Sequence, residues 1–181
     1  MALTLKKYGE PVLREKSVPV RVIDSEMETL AADMLRLMRK SKGVGLAAQQ
    51  VGRLERLCVI DVPPSCETEE DEAFNAKVEM PLVMFNPEII ASGGSQRDKE
   101  GCLSFPGIGG EVTRAYEVTC SYVDISGKRM LATARGFLAR AIQHELDHLD
   151  GILYVDRMTE EERTGFSAKL KKLSKANGGV M

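Results

Sequence analysis

The sequence has no run of about 18 apolar residues, so no membrane-spanning helix is expected. Its first residues, MALTLKKYGEPVL, hold no apolar stretch between a basic start and a small-residue cleavage site, so no secretory signal is expected. Basic charge is not in excess: 25 Lys and Arg stand against 27 Asp and Glu, a net charge of -2. That excludes a whole-molecule case for nucleic-acid binding and requires any basic partner surface to be local. The four cysteines, Cys58, Cys66, Cys102 and Cys120, include no CxxC pair and no dense disulfide framework. A reducing, cytoplasmic setting follows as the simplest expectation. Tryptophan is absent and only two histidines occur. No internal repeat and no long linker break the chain. The 181 residues, 43% hydrophobic and 29% charged, therefore suit a single domain over 1–181 with a sizeable core.

What is present reads as separated helices and strands. Ser25 can cap a first helix, with Glu28 closing a capping box. Met27, Leu30, Ala31, Met34 and Met38 then recur at helical spacing as a core stripe, and Gly43 is placed to stop it. Leu57 to Ile60 and Leu82 to Ile90 read as strands, the second interrupted at Asn86-Pro87. Val118, Cys120 and Tyr122 alternate along another, and Ser126-Gly127 turns it into Arg129 to Thr133. Cys58 and Cys120 are then small core residues. A long helix is predicted over Gly136 to Leu149 with Gly151 past its end. A third begins near Thr159 with Glu162 completing a capping box and continues to about 176. The acidic insert at about 64–80 (Glu67, Glu69, Glu70, Asp71, Glu72) reads as a solvated surface loop carrying Cys66 as an exposed thiol. The fold class is α+β, with antiparallel sheets packed around a central helix.

Both histidines fall in QHELDHLDG, residues 143–151. His144 and His148 share one helix face, their β-carbons about 5–6 Å apart, a spacing at which two imidazoles can grip one metal ion. Glu145 lies beside the first of them, where it can serve as a general base toward a metal-bound water. The bland alternative is a chance HExxH on an amphipathic helix. It loses ground because the chain spends both of its histidines here. A catalytic site usually needs a third protein ligand. No histidine follows His148, and Glu160, Glu161 and Glu162 open the next helix at a solvated end. Cys102 in EGCLSFPG, flanked by Gly101 and Gly107, is the better candidate, although alone it reads as structural. The segment GVGLAAQQVG, residues 43–52, offers small residues and the Gln50 amide. It lacks the GKS or GKT ending of a phosphate loop, and alone it reads as a helix-ending loop.

Together, GVGLAAQQ at 43–50, EGCLS at 100–104 and HELDH at 144–148 resemble the three ordered motifs of the peptide deformylase family, with no departure at any motif position. The resemblance implies the metal ligands Cys102, His144 and His148, and a water activated by the metal as nucleophile. It implies Glu145 as general acid and base, with the Leu103 amide and Gln50 meeting the oxyanion. It also implies a substrate held strand-like by Val44, Gly45 and Gly101, with the methionine side chain in an apolar pocket of Val44, Phe137 and Ala141. Glu100 and Arg114 are expected to form a buried ion pair behind the cysteine loop. The cofactor implied is one divalent ion per chain, Fe2+ natively, with Zn2+ or Ni2+ as substitutes. Arg140, one turn before His144, is expected to lay its stem along the pocket wall and send its head to solvent; the alternative is that it turns away and pairs with an acid.

The implied reaction removes the formyl group from the formyl-methionine of nascent chains and releases formate. Partners are then formyl-methionyl nascent peptides and the ribosome, the latter through the basic C-terminal helix (Arg163, Lys169, Lys171, Lys172, Lys175). DNA and membranes are not expected partners, and a monomer is. A zincin-type endoprotease and a catalytically silent ribosome-binding protein are the competing readings. The first should not need Cys102 or Gln50, and the second is opposed by the intact Glu145.

Overall fold

The computed structural model describes residues 3–178. Helix α1, Ser25–Lys40, buries Met27, Leu30, Ala31, Met34 and Met38, the stripe that its spacing predicts. Its cap is Asp24, not Ser25. The Asp24 carboxylate accepts from the amides of Glu26 at 3.0 Å and Met27 at 3.1 Å. Ser25 is already helical, so the Ser25–Glu28 box does not form; an anionic acceptor one residue earlier satisfies the free amides. At the other end the Gly43 amide returns to the Met38 carbonyl, while Lys42 takes the left-handed conformation at φ 58°.

Strands β1 (Gly45–Ala47), β2 (Leu57–Ile60) and β3 (Leu82–Gly93) pair antiparallel. Two further strands, β4 (Gln96–Gly101) and β5 (Gly109–Arg114), form a separate hairpin. β6 (Glu117–Val123) and β7 (Arg129–Arg135) complete the main sheet, whose order is β1-β2-β3-β6-β7. β3 runs three residues beyond the expected end, because its far half pairs with β6 after a register shift at Asn86-Pro87. Asn86 sits at φ 51°, and its side chain holds the backbone of Val20 through two 2.8 Å hydrogen bonds.

The acidic insert is not a solvated loop throughout. Residues Glu69–Asn75 form a short helix, α2, capped by Thr68, with Asp71 and Asn75 buried. Asp71 accepts from the Tyr116 hydroxyl at 2.5 Å, and Asn75 brackets the backbone of Arg135. Tertiary partners order a segment whose composition alone favours solvent. Cys66 is exposed, as expected.

Helix α3, Gly136–Leu149, has the predicted bounds. Its first residue has φ 57°, and a β-carbon there would collide with the Asp71 carboxylate, so glycine is what lets α2 dock. The C-terminal helix is broken in two: α4 (Glu160–Gly165), with the expected Thr159–Glu162 capping box, and α5 (Ser167–Ala176). The break falls at Phe166, which packs with Tyr154, Met158 and Leu170.

The core has three parts. One lies between α3 and the main sheet, where Cys58 and Cys120 are fully buried. A second lies between α1 and β1, β2 and β3. The third, around Phe105 and Tyr154, ties the segment after β4 to the C-terminal arm. Helices and antiparallel strands pack as α+β, with α3 central. No helix among the described residues is long and apolar enough to cross a membrane.

Candidate active site

α3 is packed on the main sheet through Leu138, Ile142, Leu146 and Leu149, which leaves the opposite face to project His144 and His148. Their rings lie 5.0 Å apart at 75° to one another. The turn after β4 brings Cys102 against them: its sulfur is 3.3 Å from His148 Nε2. Donor atoms of Cys102, His144 and His148 all lie within 4.8 Å of one another. The downstream acids Glu160, Glu161 and Glu162 are not part of this group.

His144 and Gln50 are each oriented by a partner behind them. His144 Nδ1 meets Glu100 Oε2 at 2.9 Å, so its Nε2 faces inward. Glu100 also receives Arg114 Nε at 2.5 Å and Nη2 at 2.9 Å, the ion pair expected from sequence. Gln50 is fixed by its amide oxygen, which accepts from the Ala47 N–H at 2.8 Å. Its NH2 therefore points into the site, 3.3 Å from the Cys102 sulfur and 3.3 Å from Ser104 Oγ.

Arg140 departs from the favoured expectation. Its head is not in solvent: it is buried and donates to Glu100 Oε1 at 2.7 Å and to the Val112 carbonyl at 3.0 Å. Pairing with an acid, the alternative reading, is what occurs. A guanidinium beside an apolar pocket is costly unless paired, and Glu100 lies close enough to prevent the head from reaching water. The residue still contributes to the cleft lining.

Val44, Gly45, Gln50, Gly101, Cys102, Leu103, Phe137, Arg140, Ala141, His144 and Glu145, all singled out in the sequence, line one cleft of about 930 Å³. His148 lies deeper, at 1% exposure. A β-carbon on Gly45 would run into Glu145 Oε1, so glycine at this position makes room for the carboxylate. Sequence reading missed Asp147, which accepts from Arg114 at 2.8 Å and from Arg157 at 2.7 Å. It also missed Lys7, whose Nζ holds the Leu103 carbonyl at 2.7 Å. Asp147 stands inside HELDH and was legible as a motif residue; Lys7 carries no local signal.

Burial pushes the Glu145 carboxyl up to about 7, against the pull of His144 and Arg114. Burial would lower His144, but hydrogen bonds to Cys102 and Glu100 outweigh it and hold the imidazole well above its ordinary value. His148, buried beside His144, is held well below it. Glu100 stays far below the usual carboxylate range: its hydrogen bonds to His144 and Arg114 overcome the burial that would raise it.

One thiol and two imidazoles at this spacing suit a single divalent ion with a position left open. Glu145 Oε2 is buried without a hydrogen-bond partner among the described residues, so a carboxylate oxygen is left over beside the donor set; His148 Nδ1, the ring nitrogen turned away from Cys102, is unpartnered too. A leftover buried carboxylate oxygen is costly, and its location beside the three donors fits a site built to hold an ion and a reacting water.

A family model described as polypeptide deformylase matches residues 2–164. A peptide deformylase of Endomicrobium trichonymphae is 43% identical over 174 residues, 96% of either chain. One from Thermomicrobium roseum is 43% identical over 157 residues, 87% of this chain and 86% of that one. The solved peptide deformylase of Thermus thermophilus superposes with a TM-score of 0.83 at 38% identity, covering 97% of this chain and 99% of its own. Sequence, fold and converged motifs agree: the chain belongs to the polypeptide deformylase family.

Proposed function

We propose that the protein removes the N-formyl group from the N-terminal formyl-methionine of nascent proteins, releasing formate. The observation that carries this reading is the convergence of Cys102, His144 and His148 with Glu145 and Gln50 at the floor of one cleft, from three distant segments. The whole chain serves as one catalytic unit, with α2 and the C-terminal arm as accessories. Cys102, His144 and His148 would hold one divalent ion, Fe2+ in the cell, with Zn2+ or Ni2+ able to replace it. Such an ion acidifies water and polarises a carbonyl oxygen.

The chain's own residues do the rest. The methionine side chain enters between Val44, Phe137 and Ala141, beside the stem of Arg140. Gly45 and Gly101 present backbone to the peptide; they lie on β1, an edge of the main sheet, and on β4, an edge of the hairpin. Glu145 takes the proton of the attacking water and delivers it to the departing amine. Its raised affinity for protons suits both transfers near neutral pH. The Leu103 amide and the Gln50 NH2 stabilise the oxyanion that develops on the formyl oxygen. Glu100, held by Arg114 and Arg140, keeps His144 in the tautomer that donates to Glu100 and leaves Nε2 free.

The protein is read as a cytoplasmic monomer. Its further partner is the ribosome, through Arg163 on α4 and Lys169, Lys171, Lys172 and Lys175 on α5, all of them exposed. The deciding experiment offers formyl-Met-Ala-Ser and an internal peptide of the same composition. Formate release from the first without cleavage of the second is the expected result; cleavage of internal bonds would turn the reading toward an endoprotease, and inactivity on both toward a silent binding protein.

A further inference from the structure

The floor and the mouth of the cleft carry opposite kinds of charge. At the floor stand Glu100 and Glu145, both buried. At the mouth stand Lys42 and Lys99, both exposed, and Lys7, half-buried. No carboxylate other than Glu100 and Glu145 lines the cleft among the described residues. Glu100 is already engaged by two arginines, and Lys7 is engaged by the Leu103 carbonyl, with Glu10 nearby. Lys42 and Lys99 make no ion pair and no side-chain hydrogen bond among the described residues. A chain of net charge -2 has thus placed two free cations among the exposed residues that line its cleft.

Their placement is set by the backbone. Lys42 immediately precedes Gly43 and Val44, in the left-handed conformation that ends α1. Lys99 lies two residues before Gly101 on β4, on the exposed face opposite buried Glu100. In a strand that is about 7 Å further from the metal ligands, the reach of two residues of extended peptide. A peptide held strand-like at Gly45 and Gly101 would run past residues 42 and 99, which precede those glycines by three and two positions and line the same cleft.

We infer that Lys42 and Lys99 are specificity-determining residues that favour acidic side chains at the second and third positions of the substrate. The inference rests on the deformylase reading above and names a substrate class within it. The attraction is between exposed charges, so it is modest and screened by salt. Each such pair is worth about 1.5- to 5-fold, and two together about 2- to 25-fold, in kcat/KM. Seating the formyl group is untouched, so the preference belongs mainly to KM.

The experiment uses three C-terminally amidated peptides, so that side chains alone set the charge: formyl-Met-Ala-Ser, formyl-Met-Glu-Glu and formyl-Met-Lys-Lys. Formate release by the metal-loaded protein is measured at low and high salt. The expected order at low salt is acidic, neutral, basic, and the spread should shrink as salt rises. The double variant Lys42→Glu with Lys99→Glu should reverse the order between the acidic and basic peptides. If the wild-type protein turns over all three peptides alike at low salt, or prefers the basic one, the specificity assignment is overturned while the deformylase reading stands. If the neutral peptide is not deformylated at all, that reading fails first and the specificity assignment falls with it. An unchanged order in a folded double variant would also overturn it, by moving the preference to other residues.

Discussion

Two sets of buried polar groups around α3 solve opposite problems. On one side, Arg114 and Arg140 close on Glu100, and Arg114 and Arg157 close on Asp147, so buried charge is paired and hydrogen-bonded. On the other, Glu145 Oε2 and His148 Nδ1 are buried with no hydrogen-bond partner among the described residues. Buried charge is tolerated where pairs satisfy it and is costly where they do not. The paired set ties Glu100, just before the cysteine turn, to α3; in the unpaired set, Glu145 Oε2 belongs to the carboxylate proposed to move protons, and His148 Nδ1 is the ring nitrogen turned away from Cys102. A third such atom, Gln49 Oε1, lies next to Gln50 in the chain, on a side chain whose NH2 reaches the Glu15 and Leu149 carbonyls.

Substitutions on the two sides should therefore fail differently. The largest effect belongs to the reactive side. Glu145→Gln should lower formate release by about 10²- to 10⁴-fold while metal content holds. The same variant should stabilise the metal-stripped protein. Folding raises Glu145 from 4.5 to about 7, so the native state takes up a proton in that window. The carboxyl's contribution to stability is complete below 4.5 and is lost as pH rises through about 7. The gain in melting temperature on Glu145→Gln should thus be larger at pH 8 than at pH 5. Equal gains at both would mean that Glu145 is not protonated in the metal-free fold.

Gln50→Ala comes next on the reactive side, with a loss of about 10²- to 10³-fold falling mostly on kcat. On the supporting side, Arg114→Met should cost about 1–3 kcal/mol of stability, because it leaves Glu100 to Arg140 and His144 and Asp147 to Arg157, each short of hydrogen bonds it makes now. Chemical denaturation of the metal-loaded variant measures this. A loss below about 1 kcal/mol would mean water replaces the guanidinium cheaply. The smallest activity effect is expected from Arg140→Leu. Arg114 still holds Glu100, so kcat should fall less than tenfold while KM rises as the wall of the methionine pocket loosens. A large fall in kcat with KM unchanged would put Arg140 among the groups that orient His144.

How much of this was legible follows from where each signal resides. α3 has the expected bounds because its apolar stripe and both histidines share one local period. The three motifs single out Cys102, His144 and His148, whose donor atoms the fold brings within 4.8 Å of one another. The β4–β5 hairpin was missed, since RDKEG is polar at every position but its glycine and only Glu100 faces inward. Arg140 was turned the wrong way because its partner is 40 residues distant, and no local rule couples them. The sequence of α2 reads as a loop because Tyr116 and the Arg135 backbone, which bury Asp71 and Asn75, come from the turn before β6 and the end of β7, far along the chain. Local periodicity and motif chemistry carried over from sequence, whereas buried polar pairing had to be seen in three dimensions.

The central claim is that one ion held by Cys102, His144 and His148 serves the deformylation. The direct test is to strip the protein with a chelator, return Fe2+ anaerobically in steps, and measure bound metal and formate release from formyl-Met-Ala-Ser on each sample. The account predicts a rate that climbs in proportion to bound ion and levels off at one per chain, with Cys102→Ala unable to reach that occupancy. Formate release that persists in stripped protein, or a Cys102→Ala variant that binds one ion per chain as tightly as the wild type, would contradict it.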